Sequence, residues 1–451
     1  MTGETIRLAE FAHQAGSATL PAEHVERLRW LVLDNLAAGF LGSRQPWSAN
    51  VAKLASKLGG VGESSIFGRS ARLDRARASF VNGAAIGGFE IDHFHSGAHP
   101  SSSVFPAVLA AGEAAHVDGD RFLRALAVGY EVAVRVAAAQ TMLTEKTRGF
   151  HNPAVSGVFG SAAAVAVLHG LPVDSIVSAL GIAGSHACGL IEFVWTGAET
   201  KRFHLGRSAQ LGLESALMAA EGISGPPTVL EGTYGYLNAY SPAPRPELLV
   251  EGLGSDWLWP RLTVKPYPVH GTILPLVPPL DQRHAEGIDI SAIRQVTIRT
   301  GADAAESRHL DAAPASVLGA QYSLPFMVAT TLASGADGLV TLSAETLTDA
   351  AIGQLARRVR IEERSGPTGR SIADGGEILI EGSGSTEVLT ASGVRRLTTD
   401  ELEVLARRKF FRYSSGILSE AQASGVEDLV RNLTKLDDIQ TLAQTISESE
   451  S

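Results

Sequence analysis

The chain has 451 residues, 45% of them hydrophobic, with a net charge of −10 and one cysteine, Cys188. This is enough apolar material for two or three domains. It leaves no room for a disulfide framework or a cysteine-ligated zinc or iron–sulfur centre within one chain. The acidic balance and the lack of a basic run argue against nucleic acid as a partner, and no apolar tract approaches the roughly 18 residues of a membrane span.

Residues 1–20 mix Glu4, Arg7, Glu10 and His13 with apolar residues at helical spacing. No charged start followed by an apolar run is visible, so a cytoplasmic protein is expected. Apolar residues at three and four spacing predict helices over residues 22–43, 72–89, 102–117, 119–140, 155–170 and 205–222, and the first 255 residues read as all-helical. Alanine and glycine saturate these segments, which lets helices approach closely in several packed layers.

The pattern changes after Trp257-Leu258-Trp259-Pro260, where Pro266, Pro268, Pro275, Pro278 and Pro279 interrupt regular structure. Alternating runs at Arg294–Thr300, Arg358–Glu362 and Glu377–Glu381 predict strands, with helices over 322–334 and 344–357 between them. Thr398-Thr399-Asp400-Glu401 is a capping-box signal that opens a helix through Arg408, and Val426 to Ile446 gives further helical turns before the polar tail Ser447–Ser451, expected to fray. The predicted fold is mainly α: a large all-helical domain from both chain ends, residues 1–259 and 401–451, with a smaller α+β domain, residues 260–400, inserted as a lid.

The densest chemistry lies between Glu90 and Pro106, where Glu90, Asp92, His93, His95 and His99 fall within ten residues. Such a crowd of titratable groups in an apolar chain needs partners, and proton-transfer catalysis wants carboxylates and imidazoles side by side. His93 and His95 alternate as in some metal sites, so a metal site, a metal-free acid/base site and a solvated loop all stay open at this point. Three further candidates follow. His151 lies at a loop end before Pro153, and Lys201 with Arg202 stands at a helix start able to hold a carboxylate. Lys265, His270 and Tyr322 occupy the domain boundary and the inserted domain.

Together, His99-Pro100-Ser101, Gly149-Phe150-His151, Thr200-Lys201 through His204-Leu205-Gly206 with Ala209, Lys265-Pro266-Tyr267-Pro268 and Gln321-Tyr322 resemble the MmgE/PrpD family in order and spacing over nearly the whole chain. The resemblance implies a helical domain with an inserted lid, a homodimer, and a site needing no metal or organic cofactor. It implies Asp92, His99, His151 and Tyr322 as catalytic residues, and Lys201, Lys265, Arg202 and His270 as contacts to a small di- or tricarboxylate. The expected reaction is that of a hydro-lyase of the 2-methylcitrate dehydratase kind. Alternatives are an epimerase of an amino or imino dicarboxylate such as iminodisuccinate, a cis-aconitate-type decarboxylase, and a non-catalytic relative. One departure stands out: Asp92-His93-Phe94 replaces the two adjacent acids and threonine common in the family.

Overall fold

The computed structural model describes residues 3–301, 306–363, 374–382 and 384–447. Its packing divides the chain into two units, one of Met1–Ile191, Thr200–Val264 and Leu397–Ser451, the other of Glu192–Glu199 and Lys265–Arg396. The fold is mainly α, as expected from the periodicity. Among the described residues no helix is long and apolar enough to cross a membrane.

In chain order, the first unit contributes α1 (Glu4–Ser17), α2 (Ala22–Ser43), α3 (Pro46–Lys57), α4 (Arg75–Gly88), α5 (Pro100–Ala115), α6 (Gly119–Gln140), α7 (Asn152–Leu168) and α8 (Val173–His186). The short α9 (Phe193–Thr196) belongs to the second unit, and α10 (Thr200–Ala220) and α11 (Tyr236–Tyr240) return to the first. α7 is the centre of this unit, with every residue buried, and it packs on α5, α6, α8 and α10. A helix buried all round cannot be amphipathic, which is why Ala, Val and Gly fill it. Its serines meet their bonding needs locally: Ser156 Oγ donates to the Asn152 carbonyl at 2.8 Å and Ser161 Oγ to the Gly157 carbonyl at 3.0 Å.

Close approach of α4 and α10 follows from paired glycines. A Cβ on Gly206 would lie 2.2 Å from the Phe80 carbonyl oxygen, and one on Gly83 would lie 2.6 Å from the Gly206 Cα. Only hydrogen fits at this crossing. It sets the end of α4, and the loop that follows, against the first turn of α10.

Two short antiparallel pairs interrupt the helices: β1 (Ser64–Ile66) with β2 (Arg69–Leu73), and β3 (His93–Phe94) with β4 (Thr263–Val264). Neither was expected from the sequence, where the segments are short and polar. The chain leaves this unit just after Val264, whose Cα partner is His93.

The second unit contains α12 (Val277–Ala285), β5 (Gln295–Thr300), α13 (Val317–Tyr322), α14 (Leu324–Val340), α15 (Ala344–Leu347), α16 (Ala350–Ala356), β6 (Val359–Glu363), β7 (Gly375–Glu381) and β8 (Thr386–Ser392). The sheet order is β6-β5-β7-β8, with β5 and β6 parallel and the other neighbours antiparallel. Ile298 on β5 stands opposite Ile361 and Ile378 on its two neighbours, so one apolar row crosses the sheet. α12 and α14 pack on each other and reach β8 and β6 respectively. Gly335, at φ 65°, breaks α14, and the Ala336 N–H freed there donates to Asp281 of α12 at 2.6 Å.

The chain returns to the first unit with α17 (Thr399–Ser414), α18 (Glu420–Arg431) and α19 (Gln440–Ala443). Thr398 and Glu401 form the reciprocal capping box that their spacing predicts. α17 packs along α2, which brings the two chain ends together. The last four residues of the tail, 448–451, lie outside the described residues.

The glycine crossing is testable by substitution. Gly206→Ala should lower stability by about 1–3 kcal/mol, the usual cost of forcing a methyl group into a filled contact. Thermal unfolding followed by circular dichroism measures this, and an unchanged midpoint would show that α4 and α10 are not in backbone contact.

Candidate active site

The loop between α4 and α5 is built from backbone features that bring its acids and imidazoles inward. Glu90 sits at φ 60°, a left-handed conformation that costs a residue with a Cβ about 1–2 kcal/mol. Ser96 and Gly97 are also left-handed, at φ 49° and 83°, and His95 and Ala98 exchange backbone hydrogen bonds of 3.0 and 2.8 Å across them. This two-residue turn suits the twist of a hairpin and returns the chain to His99. His99 and His151 are the N-cap residues of α5 and α7, each followed by a proline in the first turn, and neither ring caps its helix.

Asp92 is buried and accepts two hydrogen bonds on one oxygen, from His99 Nδ1 at 2.8 Å and from Ser102 Oγ at 2.6 Å. With Asp92 ionised the carboxylate can only accept, an arrangement that puts the proton on His99 Nδ1 and leaves the lone pair on Nε2. The ring retains 16% of its side-chain exposure, leaving it access to a ligand and to solvent protons. Phe94 stacks beside it, with ring centres 5.9 Å apart. Carboxylate, imidazole and open nitrogen have the arrangement of an acid/base dyad, in which a carboxylate can fix the tautomer and stabilise an imidazolium.

His151 and His204 meet through their Nδ1 atoms at 3.3 Å, joining the start of α7 to the first turn of α10. Burial is the main cause holding His151 well below the ordinary imidazole range; His204 and His99 add to it, and Asp92 opposes it. His204 is lowered to about 4, first by burial and then by Lys201. Both rings are therefore neutral at pH 7, fitted to give and accept hydrogen bonds rather than to carry charge. Lys201 completes the cluster. It is buried and ion-paired with Glu90, whose strained backbone aims its carboxylate at α10.

Three helix starts thus supply His99, His151 and Lys201 to one cluster. The positive end of each helix dipole favours an anion there.

The loop's three histidines engage different surroundings. His93 turns into the interior, where Nε2 lies 2.8 Å from Asp34. His95 pairs with Ala98 through its backbone, and His99 binds Asp92. Among the described residues no group of three or more His, Cys, Asp or Glu is arranged to hold a metal ion.

Arg202, next to Lys201, is turned about 100° round the helix. Its guanidinium carbon lies 3.6 Å from the centre of the Trp47 ring, and Nη1 donates to the Gly88 carbonyl. These contacts pack the end of α4.

In the second unit, His270 and Tyr322 belong to an aromatic cluster that also includes His309 and Phe193. Ring centres lie 4.7 Å apart for His270–Tyr322 and 4.8 Å for His270–His309, with His309 Nδ1 donating to the Tyr322 carbonyl at 3.0 Å. The backbone N–H of His270 donates to the Gln321 carbonyl at 3.0 Å. Lys265 is buried. His309 and Ser102 carried no sequence signal beyond their residue type; Glu90 stood out as one of the loop's two acids, and His204 stood in a motif without an assigned role.

Fold and site define a mainly helical two-unit protein with a carboxylate–imidazole dyad set among helix N-termini. The MmgE/PrpD N-terminal domain matches residues 6–249 and the MmgE/PrpD C-terminal domain residues 267–435. The chain belongs to the MmgE/PrpD family. It is similar to the cis-aconitate decarboxylase of Aspergillus terreus (strain NIH 2624), 29% identical over 479 residues, spanning 99% of this chain and 96% of that protein. The human cis-aconitate decarboxylase is 33% identical over 258 residues, 54% of this chain and 52% of its own. A cis-aconitate decarboxylase-like protein of Aspergillus oryzae is 33% identical over 277 residues, 58% and 57% of the two chains.

The depressed His204 makes stability depend on pH with a definite sign. Its unfolded imidazole binds a proton near 6.5 and the folded one only near about 4. Within that window the unfolded state holds more protons, so stability falls as pH drops from about 6.5 to about 4. His204→Gln should flatten this part of the curve, read as the urea midpoint against pH. An equally steep curve in the variant would remove His204 as its source.

Proposed function

We propose that the chain is a lyase acting on a small di- or tricarboxylate by proton transfer next to a carboxylate, with decarboxylation as its reaction. The carrying observation is the Asp92–His99 contact at 2.8 Å beside Lys201. The dyad offers a proton donor and acceptor, and the buried ammonium with three helix starts offers an anion site. The relatives that span nearly the whole chain bear the name cis-aconitate decarboxylase, which favours loss of carbon dioxide over loss of water.

A β,γ-unsaturated carboxylate suits this chemistry. His99, as imidazolium, delivers a proton to the alkene carbon next to a second carboxylate. The bond to the departing carboxylate breaks, its electron pair forms the shifted alkene, and carbon dioxide leaves. One proton is consumed per carbon dioxide released, and the partly open His99 regains it from solvent. Asp92 keeps the ring oriented throughout, while neutral His151 donates a hydrogen bond where negative charge builds on the substrate carboxylate. Lys201 loosens its hold on Glu90 in favour of the substrate.

The same dyad, working as a base, would serve a hydro-lyase by removing a proton beside a carboxylate while a β-hydroxyl departs. An epimerase would remove and return that proton with no net loss. A panel of di- and tricarboxylates in deuterated water, followed by NMR, separates the three. Decarboxylation gives a new alkene with one deuterium at the protonated carbon; dehydration gives an alkene that keeps every carboxylate; epimerisation gives exchange without a new product. Lys265, His270 and Tyr322 enter the proposal through the family resemblance and the second unit's own cluster, as do a homodimeric assembly and a cytoplasmic location.

His99→Gln should lower kcat by about 10²- to 10⁴-fold while the circular dichroism spectrum is kept, the range expected for loss of a general acid or base. Near-normal turnover would falsify the assignment. Lys201→Ala should chiefly raise KM, because it removes a charge that binds the ground state and transition state alike; a variant whose KM is unchanged would place the substrate carboxylate elsewhere.

A further inference from the structure

Asp34 of α2 and Lys409 of α17 form a buried ion pair that the chemistry above does not use. Lys409 Nζ lies 2.7 and 2.9 Å from the two Asp34 carboxylate oxygens, and Asp34 Oδ2 also takes His93 Nε2 at 2.8 Å. Asp34 and His93 have no exposure and Lys409 has 2%. Burial favours the neutral acid, but Lys409 and His93 outweigh it, and Asp34 is held below the ordinary carboxylate range.

A buried ion pair is a poor way to gain stability, since desolvating the charges costs several kcal/mol and apolar residues of similar volume often do as well. Its useful property is direction, and here the direction leads to the dyad. Lys409 Nζ also donates to the Ile91 carbonyl at 3.3 Å, and the His93 backbone N–H donates to Ser101 Oγ at 2.9 Å. Ile91 and His93 are the residues on either side of Asp92. Asp92 in turn is bound by Ser102, the neighbour of Ser101 on α5, and by His99. The backbone is therefore tethered before and after the carboxylate that orients the base. A carboxylate in place of the His93 imidazole would set like charge against Asp34 and could not donate to it in its ionised form.

We propose that Asp34, His93 and Lys409 are positioning residues that act on the reaction through Asp92, keeping His99 in the tautomer with its basic nitrogen on Nε2. The link to catalysis rests on the lyase reading; the link to His99 does not. The tethering contacts come from α2 and α17, so elements from both chain ends set the geometry of the dyad.

The test uses the full chain with His93→Asn, Lys409→Met and the double variant Asp34→Asn/Lys409→Met, in which both charges are removed together and no lone charge is left buried. Nitrogen-15 NMR of the histidines reads the His99 tautomer, and kcat and KM are measured with whichever polycarboxylate the panel identifies. In folded variants we expect the single Nδ1–H form of His99 to give way to a mixture, and kcat to fall about 10-fold with KM within about twofold, a loss within reach of a misplacement below 1 Å. Lys409→Arg, which keeps the charge and a donor, should recover part of the rate. If the variants fold with the His99 tautomer and kcat of the parent, the triad is only structural and the proposal is overturned. A parent protein that turns over no polycarboxylate would refute the lyase reading instead, while the NMR result still decides the positioning role. Should Lys409→Met fail to fold, His93→Asn and the double variant carry the test.

Discussion

A charge taken out of water must meet a partner, and the first unit is organised round that requirement. The segment from Glu90 to His99 carries two carboxylates and an imidazole into an interior of alanine, valine and leucine. Each finds its partner on a different helix: Glu90 on α10, Asp92 at Ser102 of α5, His93 on α2 with α17 behind it. The loop is held by helices that lie far apart in sequence, and its position cannot shift without stranding a buried charge. The glycine contact between α4 and α10 makes one of those pairings possible by letting the end of α4 reach the first turn of α10.

The cluster that results separates its imidazoles by environment. His99 keeps solvent access and a carboxylate partner, which suits a group that gains and loses a proton. His151 and His204 are buried against each other, with Lys201 adding to the effect on His204, so they stay neutral and are fitted to hydrogen bonding. Residues of one chemical type thereby acquire different roles. The negative charge that builds during the proposed reaction meets an ammonium, a neutral donor and helix N-termini already in place, so little reorganisation is needed at the moment of reaction.

The long helices were legible because their apolar residues recur at helical spacing and their ends carry ordinary signals such as Thr398 with Glu401. β5, β6 and β7 were legible for the same reason in a different period. β8 was not: Thr386–Ser392 has only Ala391 buried, so no apolar alternation marks it. The β1–β2 hairpin is likewise short and mostly polar. In the site, His99, His151, Lys201 and Asp92 stood out by residue type and by resemblance, but their pairings depend on contacts between distant segments. Lys409 and Asp34 are 375 positions apart and look like ordinary members of amphipathic helices. The Trp47 face over which the Arg202 guanidinium lies was hidden for the same reason, since Trp47 is far from Arg202 in sequence.

The central claim is that Asp92 and His99 act as one device, the carboxylate working only through the imidazole. A double-mutant cycle on turnover tests it most directly, with Asp92→Asn, His99→Gln and both together compared with the parent. The account predicts strong non-additivity: once His99 is gone, removing Asp92 costs almost nothing further. Two losses that multiply would show that the residues contribute separately, and would contradict it.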